Sequence, residues 1–109
     1  SSAAAALQDR KGVELKVLYL EPVSDFADYF VLCSGTNQRQ VQALAEGVDE
    51  ALRAKGLRPR HVEGLSSARW VLLDYGDFLV HVFDEEQRSF YALDRLWGDA
   101  ENVTQAMLQ

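Results

Sequence analysis

Stretches of apolar residues along this chain predict five strands. Residues 28–34 contain the continuous run Tyr-Phe-Val-Leu-Cys, which is typical of a strand covered on both faces. Shorter apolar stretches bounded by Pro, Gly or Asp predict four further strands, the second of them a short edge strand, at residues 15–20, 60–63, 70–73 and 78–83.

Apolar residues at helical spacing predict a long amphipathic helix over residues 38–55. Asn37 is expected to cap its N-terminus with Gln40 at the reciprocal position, and Gly56 is expected to end it. The residues expected to form its buried stripe are Val41, Leu44, Ala45, Val48, Ala51 and Leu52.

Two other segments have helical patterns. Residues 3–11 are rich in Ala and predict a helical segment that ends at Gly12. A second long helix is expected to begin near Asp84, with Gln87 as its capping partner. Its buried residues are expected to be Phe90, Leu93 and either Leu96 or Trp97.

The segment Asp74-Tyr75-Gly76-Asp77 lies between two predicted strands and predicts a β-hairpin. A two-residue turn at Tyr75-Gly76 would pair Asp74 with Asp77, Leu72 with Leu79 and Trp70 with His81. One face of the hairpin is then purely apolar and suited to packing under helices, with Val71, Leu73, Phe78, Val80 and Val82. The other face carries Trp70, Leu72, Leu79, His81 and Phe83, a composition that favours a protein-binding patch. Burial by the terminal segments or by a second copy is the alternative.

The order of the elements predicts an α/β fold, a mixed β-sheet with helices mainly on one face. A crossover from the strand at residues 29–34, through the long helix, to the strand at Arg60 or at Trp70 predicts at least one parallel pair of strands. The length of 109 residues suits a single domain over residues 1–109. Within it, we expect residues 1–6 to be flexible, whereas residues 99–109 fit either a further helical turn or a tail.

Charge and hydropathy limit the classes of partner. Eleven basic and 17 acidic residues give a formal charge of −6, which opposes autonomous binding to DNA or RNA and favours a basic protein partner, such as a ribosomal protein. No apolar run approaches the roughly 20 residues that a membrane-spanning helix needs. The N-terminal residues lack the pattern of a signal peptide, so we expect a cytoplasmic protein.

No catalytic or metal site assembles from the sequence. Ser34-Gly35-Thr36 lies between a predicted strand and helix, where free amide groups bind phosphates, and resembles the glycine-serine segment of nucleotidyltransferases. Such enzymes also need carboxylates on an adjacent strand, and the nearby Asp49 and Glu50 fall on the long helix instead. One cysteine, Cys33, and two histidines are a poor basis for a metal centre. A nucleotide-binding or nucleotidyl-transferring domain that uses Ser34-Gly35 with Asp74 and Asp77 remains an alternative.

The motifs together resemble the ribosomal silencing factor, or Iojap-related, family over roughly residues 7–100. The matching segments are DYFVLCSGT at residues 28–36, RQV at 39–41, VEG at 62–64, WVLLDYGD at 70–77, VHVF at 80–83 and YALDRLW at 91–97.

The resemblance implies a nucleotidyltransferase-like fold without the catalytic carboxylates, no enzymatic activity and no cofactor. It implies a translational repressor that binds ribosomal protein fourteen of the large subunit and sterically blocks joining with the small subunit. Isolated members often form homodimers, and organelle relatives, which would lie in an organelle matrix, act in large-subunit assembly. A purely structural homodimer module is the remaining alternative. The partner-binding residues expected from the matched motifs are Trp70, Leu72, Asp74, Tyr75, Gly76, Asp77, His81 and Phe83, with Arg39 and Arg88 at the rim.

Overall fold

The computed structural model describes residues 2–19, 28–85 and 101–103. Two helices and six strands lie in these residues: α1 (Ser2–Asp9), β1 (Val13–Tyr19), β2 (Tyr29–Gly35), α2 (Gln38–Arg53), β3 (His61–Glu63), β4 (Trp70–Asp74), β5 (Phe78–Asp84) and β6 (Glu101–Asn102). The residues that a third helix was expected to bury, Phe90 to Trp97, lie outside the described residues. Asp84 is the last residue of β5, and the next residue, Glu85, is helical, which agrees with a helix that begins near Asp84.

The strands form one sheet in the order β3-β4-β5-β2-β1-β6. β2 and β5 pair in parallel, and every other neighbouring pair is antiparallel. The prediction of an α/β fold with a mixed sheet and at least one parallel pair is therefore confirmed. The expected partner of β2 is wrong, because β2 pairs in parallel with β5 and not with β3 or β4. Strand β6 was not predicted and falls in the C-terminal segment that the sequence left undecided.

Helix α2 follows β2 directly and is capped at both ends. The Asn37 side chain accepts a hydrogen bond from the Gln40 amide at 2.8 Å. The Gln40 side chain reaches one residue further back than expected, to the Thr36 amide at 2.6 Å. Gly56 adopts a φ of +82°, and its amide donates to the Arg53 carbonyl at 2.9 Å. These caps confirm the predicted ends of the helix to within two residues.

The main core lies between one face of the sheet and the two described helices. Five of the six residues expected in the α2 stripe are buried, and Ala51 is half-buried. They pack against the face of the sheet that carries Val31, Val71 and Val80. Helix α1 adds Ala3, Ala4 and Leu7 to this core, so the structure places residues 2–6, expected to be flexible, in a helix with a buried side.

Candidate functional site

The β4–β5 hairpin carries most of the residues expected to bind a partner, but its register differs from the expected one by two residues. Trp70 pairs with Phe83 and Leu72 with His81, so the expected pairs Trp70–His81 and Leu72–Leu79 are wrong. The turn residues are Gly76 and Asp77, because the Tyr75 amide donates to the Phe78 carbonyl at 3.0 Å.

The reason for this register is the place of the glycine in the turn. Gly76 has a φ of +89°, a conformation that the first position of a two-residue hairpin turn can require and that side chains disfavour. Its amide also donates to the Asp74 carboxylate at 2.8 Å. A shift of two residues leaves each side chain on its original face, so the expected division of the hairpin into two faces is correct.

Aromatic side chains cluster around His81 on the second face of the hairpin. Trp70 donates a hydrogen bond from Nε1 to Nδ1 of His81 at 3.0 Å. The rings of Trp70 and Phe83 lie 5.1 Å apart, and the Phe30 ring meets His81 edge-on at 4.8 Å. His81 is thus held between three aromatic rings and joined to one of them by a hydrogen bond.

His81 is neutral in this setting. Burial lowers the pKa of its imidazole to about 4, because a charged ring would lose its hydration. The indole N–H of Trp70 can only donate, so Nδ1 must accept and the proton of neutral His81 lies on Nε2. Among the described residues, Nε2 has no hydrogen-bond partner.

This second face is more buried than the sequence indicated. His81 is 7% exposed and Phe83 only 1%, so neither offers the open surface expected of a binding patch. The reason is that β1 and β2 extend the face with Leu18, Phe30 and Leu32, which pack with Phe83 into a second core cluster. Trp70 and Leu72 remain half-buried, as does Leu79, which was not named as a site residue although it shares their face.

The hairpin tip presents a different chemistry. Asp77 is exposed, and its carbonyl accepts a hydrogen bond from the Asp28 amide at 2.7 Å, which ties the tip to the start of β2. The Tyr75 ring stacks on Phe78 at 5.0 Å. Burial, assisted by the Asp49 carboxylate and opposed by Arg53, raises the pKa of Tyr75 to about 12, so its hydroxyl stays protonated.

Arg39 lies at the opposite end of the sheet from this tip. It lines a cleft of about 700 Å³ with Asp84 and Glu85 at the carboxyl ends of the parallel strands. Trp70 lies near this cleft, because it pairs with Phe83, the residue before Asp84. Arg39 and the tip thus lie at two ends of the hairpin, and Arg88 lies outside the described residues.

The residues of the nucleotide-binding alternative do not come together. Gly35 pairs with Asp84 at one end of β5, whereas Tyr29 pairs with Phe78, next to Asp77, at the other. Six residue steps of strand separate these ends by roughly 20 Å. In the described ranges, no group of three or more His, Cys, Asp or Glu side chains is placed to hold a metal ion.

Comparison with known proteins gives the family. The family model described as "Ribosomal silencing factor during starvation" matches residues 1–109. The chain belongs to this ribosomal silencing factor family.

Relatives of this family share both sequence and fold with the chain. The ribosomal silencing factor RsfS of Bacillus subtilis (strain 168) is 44% identical over 98 residues, which are 90% of this chain and 83% of that protein. The chloroplastic protein Iojap of Arabidopsis thaliana is 26% identical over 92% of this chain and 42% of its own length. A crystal structure of a Chromobacterium violaceum protein superposes with a TM-score of 0.87 at 35% identity, covering 89% of this chain and 81% of that one. The resemblance seen in the motifs is thereby confirmed.

The described part of the chain contains no helix long and apolar enough to cross a membrane.

Proposed function

We propose that this chain represses translation by binding ribosomal protein fourteen of the large subunit, so that the small subunit cannot join. The family match over residues 1–109 carries the proposal. The mechanism is steric and needs no catalytic group, which agrees with the separation of Ser34-Gly35 from Asp74 and Asp77. We expect this action in the compartment that holds the ribosomes, which is the cytoplasm in a bacterium.

The β4–β5 hairpin is the proposed contact surface. Trp70 is half-buried on a rigid aromatic base, so it offers a large apolar surface at little cost in conformational entropy. The exposed carboxylate of Asp77 at the tip and the net charge of −6 suit a basic partner. His81 and Phe83 support Trp70 from beneath rather than touch the partner.

Sucrose-gradient sedimentation of separated subunits tests this function. Adding the chain should place it with the large subunit and reduce the peak of joined ribosomes. Trp70→Ala should weaken binding by about 2 kcal/mol or more, roughly 30-fold. Glu46→Ala, on an exposed position of α2 on the helix-covered side, is the matched control and should bind as the parent does.

A second variant separates binding from folding. Asp77→Lys reverses an exposed charge at the tip, so it should weaken binding while the melting temperature stays close to that of the parent. If the parent chain stays at the top of the gradient and subunit joining is unchanged, the proposed function is wrong. If the parent binds but both variants bind equally well, the function stands and the hairpin is not the contact surface.

The free chain is also proposed to form a homodimer, as the family resemblance implies. Sedimentation velocity over a range of concentrations should show a species of twice the mass of 12.2 kDa. A single species of monomer mass at all concentrations would contradict it.

A further inference from the structure

The end of α2 and the segment after it form a basic region in an acidic chain. Residues 53–60 hold four of the eleven basic residues, Arg53, Lys55, Arg58 and Arg60, and no acidic residue. All of these positions except Pro59 are exposed. We call residues 53–60 the basic segment. Its charge is opposite in sign to the net charge of the whole chain.

Among the residues that the structure describes, most of this charge has no ion-pair partner. The Arg53 guanidinium lies 3.1 Å from the Asp49 carboxylate. Within residues 2–19, 28–85 and 101–103, no carboxylate forms an ion pair with Lys55, Arg58 or Arg60. Cations this close in sequence repel one another unless an anion lies between them, so the segment suits a ligand that carries several negative charges.

The basic segment adjoins the hairpin tip. The Arg60 amide donates to the Asp74 carbonyl at 2.6 Å. The Arg60 side chain lies over the turn, with Nη1 only 3.0 Å from the position that a Cβ on Gly76 would occupy. A partner that contacts the tip would therefore bring its neighbouring surface to the basic segment.

We propose that the basic segment contacts the phosphate backbone of ribosomal RNA when the chain is docked on the large subunit. The inference rests on the proposed function. A ribosomal surface offers two components, proteins that are mostly basic and RNA that carries one negative charge per nucleotide; only the RNA is complementary to this segment. Three of the four cations here are arginines. A guanidinium group can bind two oxygens of one phosphate at the same time. The net charge of −6 explains why this contact needs prior docking on a protein.

The salt dependence of binding to isolated large subunits tests the inference. The test variant is the double change Lys55→Gln and Arg58→Gln, both on exposed positions. Each lost phosphate contact should reduce the magnitude of the slope of log K against log salt by about 0.7 to 0.9. The loss of two contacts should therefore reduce it by about 1.4 to 1.8. Lys11→Gln removes an exposed cation far from the tip and should leave the slope unchanged.

Photo-crosslinking identifies the component that is contacted. A benzophenone amino acid in place of Leu57, which is 46% exposed within the basic segment, should crosslink to RNA on the large subunit. Crosslinks to protein alone would overturn the inference in favour of an acidic protein surface. An unchanged salt slope in the double variant, with normal binding by the parent, would overturn it while leaving the proposed function intact. Failure of the parent to bind would remove both.

Discussion

The indole of Trp70 and the imidazole of His81 form one hydrogen-bonded unit across β4 and β5, with Nε1 and Nδ1 3.0 Å apart. The two residues are not direct cross-strand partners, because Trp70 pairs with Phe83 and His81 with Leu72. The bond therefore runs diagonally across the face. It fixes the tautomer of His81 and the orientation of the indole, so the residue proposed to anchor a partner is held in place before the partner arrives.

Removal of the indole N–H should destabilise the chain even without a partner. Trp70→Phe leaves Nδ1 of His81 buried without a donor, which should cost about 1 to 3 kcal/mol in the free energy of unfolding. Urea denaturation measures this cost. In a His81→Phe background, the same Trp70→Phe change should cost less, because no acceptor is then left unpaired. Equal costs in both backgrounds would show that the hydrogen bond contributes nothing.

Acid should destabilise the fold through His81. The pKa of His81 falls from its usual 6.5 in the unfolded chain to about 4 in the folded one. Between these values the unfolded chain binds the additional proton, so stability is fully present above pH 6.5 and is lost as the pH falls toward 4. The loss from this group is at most about 3 kcal/mol.

Urea denaturation at a series of pH values from about 4 to about 7, a range that spans the two pKa values, measures this dependence. His81→Gln cannot titrate, so its stability should change less with pH across this window than that of the parent. A parent and a His81→Gln variant with the same dependence would contradict the prediction.

The thiol of Cys33 should be protected in the folded chain. It is 0% exposed and lies in the main core, against Gly12, where a Cβ would collide with its sulfur. A disulfide reagent should therefore label it about 1,000-fold more slowly in buffer than in urea, because labelling needs the core to open. Fast labelling without denaturant would show that β2 opens locally.

The sequence predicts the two faces of the hairpin but not its register. Alternation assigns Val71 and Leu72 to opposite faces whichever turn is chosen. An even shift in register also keeps the same β5 residues on each of these faces. The position of the turn depends on the backbone conformation of Gly76, and the segment Asp74-Tyr75-Gly76-Asp77 fits two different turns equally well. The hydrogen bond from the Gly76 amide to the Asp74 carboxylate favours one of these turns, and it is seen only in the folded structure.

The residue pattern of the hairpin alone also does not predict that its second face is buried. The composition of this face fits either a binding patch or a second core. Phe30 and Leu32 of β2 decide the matter for His81 and Phe83, since the parallel pairing of β2 with β5 places them side by side. β2 and β5 are far apart in the sequence, so the pattern of neighbouring residues does not predict that they pair.

Two glycines with nearly equal φ angles should respond very differently to a change to alanine. Gly56 has a φ of +82° and Gly64 a φ of +79°, so Ala is strained at both positions. A Cβ on Gly56 meets no atom within 4 Å, and Gly56→Ala should cost only the conformational strain, about 1 kcal/mol. A Cβ on Gly64 would overlap the carbonyl oxygen of Trp70, which is backbone and cannot turn aside.

Gly64→Ala should therefore cost more than Gly56→Ala, by about 2 kcal/mol or more, because the start of β4 must move. Urea denaturation of the two variants measures the difference. The displaced backbone belongs to Trp70, so Gly64→Ala should also weaken binding to the large subunit, whereas Gly56→Ala should change it little. Equal stability losses would mean that the loop before β4 can give way without strain. A Gly64→Ala variant that is destabilised but binds normally would place the contact surface away from Trp70.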